Sequence, residues 1–310
     1  MATNNIPTAD DLERSGFVMR RRILDRAMRV MLFLCAALSV FVTTAIVVIL
    51  VRESWQFFQQ VPLLEFLTGT QWTPVFADAQ FGILPLLSAT VQVAFLAMII
   101  AIPLGTIMAI YLSEYAPDAV RETMKPALEM LEAVPTVVYG YFALLVMTPF
   151  LQKFIPGLAG INLLVPGIIL GIMILPYVVS VSEDAMRAVP NSLREGAYAL
   201  GMSRWQVALR VVVPGALSGI TAAYILGMSR AVGETMVLAI AAGQNPNLTL
   251  DPREGAATIT AYIVQMALGD LPHGSLAYST IFSTGLVLFL ITLLFNVIGF
   301  YLRRRFREAY

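Results

Sequence analysis

The chain has 310 residues, of which 58% are hydrophobic and only 13% charged, and it has no net charge at neutral pH. Its mean hydropathy of +0.77 is far too high for a soluble domain of this length, which predicts an integral membrane protein. The neutral balance gives no support for binding to nucleic acid, and the single cysteine, Cys35, excludes a disulfide within the chain.

Apolar segments recur along the chain, and several reach the roughly 20 residues that a helix needs to cross about 30 Å of hydrocarbon. We predict spans at about 30–51, 83–112, 127–151, 162–182, 215–242 and 280–302. These runs are long and lack the alternation of polar and apolar residues that a membrane β-barrel requires. The sequence therefore predicts an all-α integral membrane protein with six transmembrane helices.

The polar N-terminal segment, residues 1–29, carries a cluster of arginines directly before the first apolar run. That run is longer than the apolar part of a signal peptide, and no clear small-residue cleavage site follows it, so we predict an uncleaved anchor. The remaining chain is expected to divide into a first span with an outer segment (30–82), a core of five spans (83–302) and a basic cytoplasmic tail (303–310).

Lysine and arginine in the flanks of the spans predict the orientation, because these residues favour the cytoplasmic side of a membrane. If the N-terminus is cytoplasmic, most of the basic residues lie in inner flanks. The outer connections then hold only Arg52, Lys153 and Arg253, and the one remaining basic residue, Arg230, lies inside a span. Both termini are therefore predicted to be cytoplasmic.

Two connections between the predicted spans are longer than a turn. The outer one, at about 52–82, is rich in aromatic and turn residues of the kind found at membrane interfaces, and we expect a short surface helix within it. The inner one, at about 183–213, combines charged residues, helix-forming residues and Pro190, with Pro214 directly after it. It predicts a cytoplasmic helical hairpin that a partner protein could bind.

The stretch EGAYALGMSRWQVALRVVVP lies within this hairpin. A helix over about 191–200 that ends at Gly201, which serves as a left-handed C-terminal cap, would present Leu193, Ala197 and Leu200 on one side. A second helix is expected to begin at Ser203. A short amphipathic helix of this kind suits a groove in a partner protein, and the alternative is a helix that lies on the lipid surface.

The chemistry of nucleotide hydrolysis is not expected in this chain. A phosphate-binding P-loop requires Gly-Lys-Ser/Thr, whereas the two lysines, Lys125 and Lys153, follow Met124 and Gln152. The single histidine, His273, is predicted in an outer loop and is too little for a histidine metal cluster or a histidine-activated nucleophile. We predict no catalytic residue, no metal site and no cofactor in the chain itself.

The stretch GMSRAVGETMVLAIAAG, residues 227–243, places Arg230 and Glu234 inside the fifth apolar run. An arginine near the centre of a membrane costs about 2.5 to more than about 10 kcal/mol, so it is expected to face the protein interior or a cavity. Four residues apart, the two side chains would share one helix face, with the hydroxyls of Ser229 and Thr235 close by.

Two interpretations of this charged pair remain open and do not exclude each other. In the first, Arg230 and Glu234 neutralise each other or pair with other spans and so fix helix packing. In the second, they line the route of a polar solute, where an arginine holds an oxyanion by paired hydrogen bonds and a glutamate competes for that arginine.

Other acidic residues lie near the predicted cytoplasmic ends of spans. Glu129 and Glu132, three residues apart on one helix face, lie near the start of the third span, where their role is either structural or in gating. Glu114 ends the second span and is expected to be solvated or to contact the membrane interface.

The hairpin motif resembles the EAA loop of ABC importer permeases, in which Glu-Ala-Ala is followed by a glycine and an aliphatic pair ending in proline. Here the match is Glu195, Ala197, Gly201 and the valines before Pro214, with Gly196 where an alanine is usual. Together with SRAVGETM, FGILPLL, AIPLGTIMAIYLSEYAP and GTQWTP, it is similar to the permease of the phosphate-specific (Pst) ABC importer, in its C-subunit form.

This resemblance implies a MetI-like, type I permease fold in the inner membrane, in contact with lipid. It implies that the hairpin is a coupling helix seated in an ATP-hydrolysing subunit, with coupling residues Glu195, Gly196, Ala197, Leu200 and Gly201. We call the stretch SRAVGETM, residues 229–236, the transport motif, and the resemblance implies that Arg230 and Glu234 within it line the substrate path. The expected partners are an A-type permease, two subunits that bind ATP and Mg²⁺, and an external phosphate-binding protein.

Alternatives from the same and from other classes remain at this point. The chain could serve an importer of another oxyanion, such as phosphonate, sulfate or molybdate, because substrate choice depends on few groups. It could also be an ion-coupled secondary transporter or channel, which would need no ATPase subunit. A structural or sensory membrane protein would recruit a cytoplasmic partner without moving a solute.

Overall fold

The computed structural model describes the backbone of residues 9–305 and the side chains of residues 19–302. The predicted N-terminal segment is thus described only from Ala9, and the basic tail only to Arg305. All of the regular elements in the described range are helical except one isolated β-bridge, between Trp72 and Phe81. The α-helices are α1 (Ala9–Phe58), α2 (Leu63–Thr68), α3 (Leu84–Ile110), α4 (Asp118–Glu132), α5 (Thr136–Phe142), α6 (Thr148–Gln152), α7 (Leu164–Arg187), α8 (Asn191–Ala199), α9 (Arg204–Val207), α10 (Val213–Gly215), α11 (Leu217–Gly233), α12 (Met236–Ala241), α13 (Ile259–Leu268) and α14 (Leu276–Arg305).

Short π-helical stretches continue several of these helices. They follow α3 at Tyr111–Tyr115, precede α6 at Ala143–Met147 and precede α10 at Ala208–Val212. The second and third are followed within two residues by Pro149 and Pro214. A proline lacks an N–H and crowds the carbonyl four residues before it, so a wider turn at this point relieves the clash without ending the helix.

Four helices are long and apolar enough to cross a membrane, and two bent helix pairs raise the number to six if each pair counts as one span. The four are Met19–Phe58, Leu84–Tyr115, Leu164–Arg187 and Leu276–Leu302. They agree with the first, second, fourth and sixth predicted spans. The predicted third and fifth spans are not straight helices.

The predicted third span, 127–151, is bent by 83° between α4 and the helical segment Thr136–Gln152. The bend occurs just before Pro135, since a residue preceding proline is disfavoured in the α conformation. In α4 none of the side chains is buried. The predicted third span is therefore a bent pair of helices, with α4 before the bend and the segment from Thr136 after it.

The predicted fifth span, 215–242, is interrupted twice. Its first bend, of 70°, separates the Arg204–Gly215 segment from α11. Its second interruption is at Glu234, which has an extended backbone (φ −66°, ψ 135°) and separates α11 from α12. The transport motif thus spans a helix break, not a continuous helix.

The main apolar core lies between α3, α7, α11 and α12. A close backbone contact within it is at Gly171 of α7, where a Cβ atom would lie 2.8 Å from the carbonyl oxygen of Ala97 in α3. Only glycine allows the two backbones to approach this closely. A second cluster joins aromatic side chains from the end of α1, α2, the following segment and α13: Phe57, Phe66, Trp72, Phe81 and Tyr262.

The segment between α12 and α13 packs against the helices, although its sequence does not distinguish it from an exposed loop. Residues Ala256 to Tyr262 are all buried. Two residues of α3 hold this stretch, because Gln92 donates a hydrogen bond to the carbonyl of Thr249 at 2.6 Å and the Thr90 hydroxyl accepts one from the Ile259 amide at 3.0 Å. This stretch supports α12 and so the helix break.

The chain falls into two compact units that divide at Arg52, within α1. In the first unit, no side chain over residues 19–52 is buried. The second unit contains the rest of α1 and every other helix described above.

Candidate functional site

Arg230 lies in the last turn of α11, on the exposed side of that helix. Leu226 and Gly233, four residues before it and three after it, are exposed as well, whereas Ala231 and Val232 are buried. A cation in this position complements the partial negative charge at the end of the helix. Arg230 forms no ion pair with any side chain that the structure describes.

Glu234 forms no ion pair with Arg230, so the expectation of a shared helix face is wrong, and the interpretation in which the two side chains neutralise each other has no support in the structure. Because α11 ends at Gly233, the four-residue spacing no longer places the two side chains on one face. Glu234 is only 8% exposed, and its carboxylate accepts a hydrogen bond from the Val237 amide at 3.3 Å. This carboxylate caps the start of α12, where the helix dipole favours a negative charge.

The hydroxyl groups predicted beside Arg230 have different environments. The Ser229 Oγ atom is buried and has no hydrogen-bond partner among the described residues. The Thr235 hydroxyl donates to the carbonyl of Gly233 at 3.2 Å. A third hydroxyl, which the sequence analysis missed, belongs to Thr260 and donates to the carbonyl of Glu234 at 2.6 Å. Thr260 thereby satisfies a backbone carbonyl that the helix break leaves free.

The predicted hairpin is present with the predicted boundaries. Helix α8 ends at Ala199 with Leu200 as its C-cap, and the next residue, Gly201, has a φ of 79° in the left-handed region that favours glycine. The second helix begins after Ser203, which forms a capping box with Gln206. Both signals are local to the sequence, and both are confirmed.

The residues expected to couple to a partner divide between an exposed and a buried set. Glu195, Gly196 and Gly201 are exposed, and Leu200 is 84% exposed. Ala197 is only 6% exposed and packs with Met186, Val207 and other apolar residues of the same unit. Leu200 is the C-cap of α8, and of the three residues expected to share one apolar face, Leu193, Ala197 and Leu200, only Ala197 is buried in this chain.

Arg194 anchors the hairpin, and sequence analysis missed this role. Its guanidinium pairs with Glu114 at 3.0 Å and donates to the carbonyl of Met186 at 2.8 Å. The Glu114 side chain is only 7% exposed, which corrects the expectation that it is solvated. The two residues are 80 positions apart, and no local pattern links them.

Replacing Arg194 with methionine is expected to lower the free energy of unfolding by about 3 kcal/mol, because it leaves the Glu114 carboxylate buried without a partner. Denaturant unfolding in detergent measures this loss. Combining it with Glu114→Gln should recover part of the stability. The matched control is Glu195→Gln, on the neighbouring exposed position, which should change stability by less than about 0.5 kcal/mol. A double variant no more stable than Arg194→Met would contradict the pairing.

The predicted gating residues lie on α4, before its bend. Glu129 is exposed and Glu132 is partly buried, and neither forms an ion pair with a described side chain. They therefore lie on a separate amphipathic helix instead of at the start of a span. Their gating role stays a prediction.

The loop between α12 and α13 contains a short-range ion pair. The Arg253 guanidinium lies 2.6 Å from the Asp251 carboxylate, and its hydrogen bond lowers the pKa of that carboxyl from 3.8 to about 2. The Pro252 carbonyl in this loop accepts hydrogen bonds from the amides of Leu163 and Leu164 at the start of α7. The ion pair therefore helps to hold the N-terminal end of α7.

The loop is expected to loosen only at strongly acidic pH. Because the pKa of Asp251 is lowered by folding, its contribution is complete above about pH 4 and is lost as the pH falls towards 2. A spin label on Glu254→Cys, with Cys35→Ser, reports the mobility of the loop by electron paramagnetic resonance. Mobility should rise between pH 4 and pH 2. In Asp251→Asn the label should be equally mobile at all pH values, and a pH response there would contradict the assignment.

Comparison with known families gives one match over most of the core. Residues 101–308 match the family model described as "Binding-protein-dependent transport system inner membrane component". The probable ABC transporter permease protein YqgH of Bacillus subtilis strain 168 is 36% identical, over 97% of this chain and 98% of its own. The phosphate transport system permease protein PstC of Mesorhizobium japonicum is 34% identical, over 94% of each chain. PstC of Haemophilus influenzae is 36% identical, over 83% and 86%.

Solved structures of ABC importers share the fold. A crystal structure of a bacterial ABC transporter involved in the import of alginate has a TM-score of 0.63 and 15% identity, over 93% of this chain and 100% of its own. The MetNI methionine ABC transporter in an inward-facing conformation gives a TM-score of 0.54 and 19% identity, over 73% and 95%. At these identities the likeness concerns the fold alone, and it confirms the predicted all-α permease fold of the MetI type.

Proposed function

We propose, because this chain belongs to the family of binding-protein-dependent transport system inner membrane components, that it is a permease subunit of an ATP-driven importer for inorganic phosphate. The observation that carries the proposal is the exposed, unpaired Arg230 beside a helix break in a chain whose relatives include phosphate transport permeases. A membrane-embedded arginine that pairs with no described carboxylate is costly unless it serves a ligand or a partner.

The chemistry of Arg230 suits a phosphate oxyanion. A guanidinium group presents several N–H donors in a fixed planar fork, which matches two oxygens of phosphate at once. Glu234 does not neutralise it, because its carboxylate is held at the start of α12. The exposed side of α11, at Leu226, Arg230 and Gly233, would face the path that this chain forms with a second permease.

The proposed importer includes further subunits besides this chain. We infer a second permease of the A type, two subunits that bind ATP and Mg²⁺, and an external phosphate-binding protein. ATP hydrolysis takes place in the ATP-binding subunits, and this chain carries no catalytic residue. Both of its termini face the cytoplasm, so α8 and α9 meet the ATP-binding subunits on that side.

Proteoliposomes that contain this chain with its co-purified partner subunits and the external binding protein test the function. ATP-dependent uptake of radiolabelled phosphate is expected, and excess sulfate, molybdate or phosphonate should not compete with it. Importers of these other oxyanions are not favoured, because the relatives named for a substrate are phosphate permeases. Uptake of another oxyanion without phosphate would overturn the substrate but retain the class of transporter.

The exposed Leu200 provides a test of the hairpin as the contact with the ATP-binding subunit. Replacing it with serine should weaken that association about tenfold or more, because an apolar side chain that is exposed in the single chain would lose its pocket in the partner. Co-purification and surface plasmon resonance measure the association. Leu250, which is 82% exposed in the loop between α12 and α13, gives the matched control Leu250→Ser. Equal effects of both variants would contradict the assignment.

A further inference from the structure

The amphipathic helix α4 is held to the end of α7 by charges. Arg121 of α4 donates to the Glu183 carboxylate at 2.8 Å, and Lys125 donates to its other oxygen at 2.7 Å. Lys125 also pairs with Asp184 at 2.6 Å. No side chain of α4 is fully buried and its apolar residues are at most partly buried, so the ion pairs supply a specific attachment of α4 to the end of α7.

Glu183 is the centre of this group. Its side chain is fully buried, and Arg187, one turn later in α7, lies 3.8 Å from the same carboxylate. A buried carboxylate is strongly unfavourable unless cations or donors satisfy it. Loss of α4 from its place would leave Glu183 with Arg187 alone, so α4 and the last turn of α7 are expected to move together.

The hairpin is attached to the same turn of α7. Arg194 of α8 donates to the carbonyl of Met186, three residues after Glu183, and pairs with Glu114. Ala197 of α8 packs with Met186 in the same apolar cluster. A displacement of α8 is therefore passed to the end of α7 and, through Glu183, to α4.

The route from α4 to the transport motif is short. After its 83° bend the chain continues as α5, which packs against α12. The contact is close at Gly140, where a Cβ atom would lie 2.9 Å from the Cδ1 atom of Ile240 and 3.2 Å from the carbonyl of Met236. Met236 begins α12, directly after the break at Glu234.

We propose that Glu183 is a positioning residue that links the hairpin to the Arg230 segment, with α4 and α5 as the moving connection. This inference rests on the proposed function, because it assigns the connection to the coupling of ATP hydrolysis to transport. It adds a second route to the one that runs through α9, α10 and α11 along the chain. Because Arg121 and Lys125 both bind the Glu183 carboxylate, α4 should move together with the end of α7 when the hairpin moves.

Lys125→Gln tests the proposal, since Lys125 is partly exposed and its loss leaves Arg121 and Arg187 near Glu183. In proteoliposomes of the full complex, the ATP hydrolysed per phosphate transported is expected to rise about fivefold or more, while ATPase activity itself stays within about twofold. Lys125→Arg, which keeps the cation, should restore the ratio. The matched control is Lys153→Gln, an exposed lysine outside the hairpin without an ion pair among the described side chains. An unchanged ratio in Lys125→Gln would overturn the proposal.

A distance measurement separates failure of this inference from failure of the proposed function. Spin labels on Thr123→Cys in α4 and Ser192→Cys in α8, with Cys35→Ser, report the distance between the two helices by double electron–electron resonance. In the complex, this distance should stay constant between the nucleotide-free and ATP-bound states, and Lys125→Gln should make it vary. A distance that changes with nucleotide in the chain with Lys125 intact would overturn the link, whatever solute the complex transports.

Discussion

Phosphate uptake is expected to fall about 10- to 100-fold when Arg230 is replaced by glutamine, with assembly and ATPase binding intact. The expected factor corresponds to the loss of charge-assisted hydrogen bonds, each of which contributes about 1.5–3 kcal/mol. Because Arg230 is exposed and forms no ion pair with a described side chain, its removal leaves no carboxylate without a partner and should not unfold the chain. Initial rates of radiolabelled phosphate uptake, normalised to the amount of assembled complex, measure the effect.

Two further variants sharpen this experiment. Arg230→Lys keeps the charge but loses the planar guanidinium group, so its uptake rate should lie between those of the native chain and of Arg230→Gln. Arg52→Gln, which removes an exposed arginine of α1 that forms no ion pair among the described side chains, should leave uptake unchanged. Native uptake by Arg230→Gln would assign this residue to helix packing and dipole compensation alone.

Introducing a single methyl group at Gly171 is expected to cost about 1–3 kcal/mol of folding stability. The Cβ atom of Gly171→Ala would lie 2.8 Å from the carbonyl oxygen of Ala97 and 3.0 Å from the Cβ of Ile100. The first neighbour is backbone and cannot rotate away, so α3 and α7 must separate. Thermal unfolding in detergent, followed by intrinsic fluorescence, should show a melting temperature several degrees lower.

The control is Gly196→Ala, in the exposed part of α8. A Cβ atom there meets nothing within 4 Å, and alanine is favoured over glycine in a helix by about 1 kcal/mol. This variant should therefore be as stable as the native chain or slightly more so. If both variants unfold at the same temperature, the close approach of α3 and α7 does not limit stability.

Features that depend on local sequence were predicted correctly. The hairpin could be located because Gly201 and Ser203 are local signals for the end and the start of a helix. Four spans could be located because long apolar runs need little tertiary information. The other two spans were predicted as apolar runs, but their bends were not, because hydropathy measures how apolar a run is and not whether its axis is straight.

The sequence predicted which residues belong to the candidate site around Arg230 but not how they are arranged. Arg230 stands out in an apolar run, but the helix face that it was expected to share with Glu234 is absent because α11 ends at Gly233. The Glu234 carbonyl is instead bound by Thr260, which lies 26 residues further along the chain. The Arg194 contact with Glu114 and the attachment of Lys125 to Glu183 join residues 80 and 58 positions apart. Pairings of this kind follow from the packing of helices, which a single sequence does not encode in any local pattern.

The lipid-facing character of α1 has a consequence for evolutionary change. Over residues 19–52 no side chain is buried, so none has to match the shape of a neighbour in the chain. Selection there acts on length and hydrophobicity, which many combinations of leucine, valine, isoleucine and phenylalanine satisfy equally well. Among descendants of a common ancestor, α1 should diverge quickly in sequence while it remains a helix of the same length.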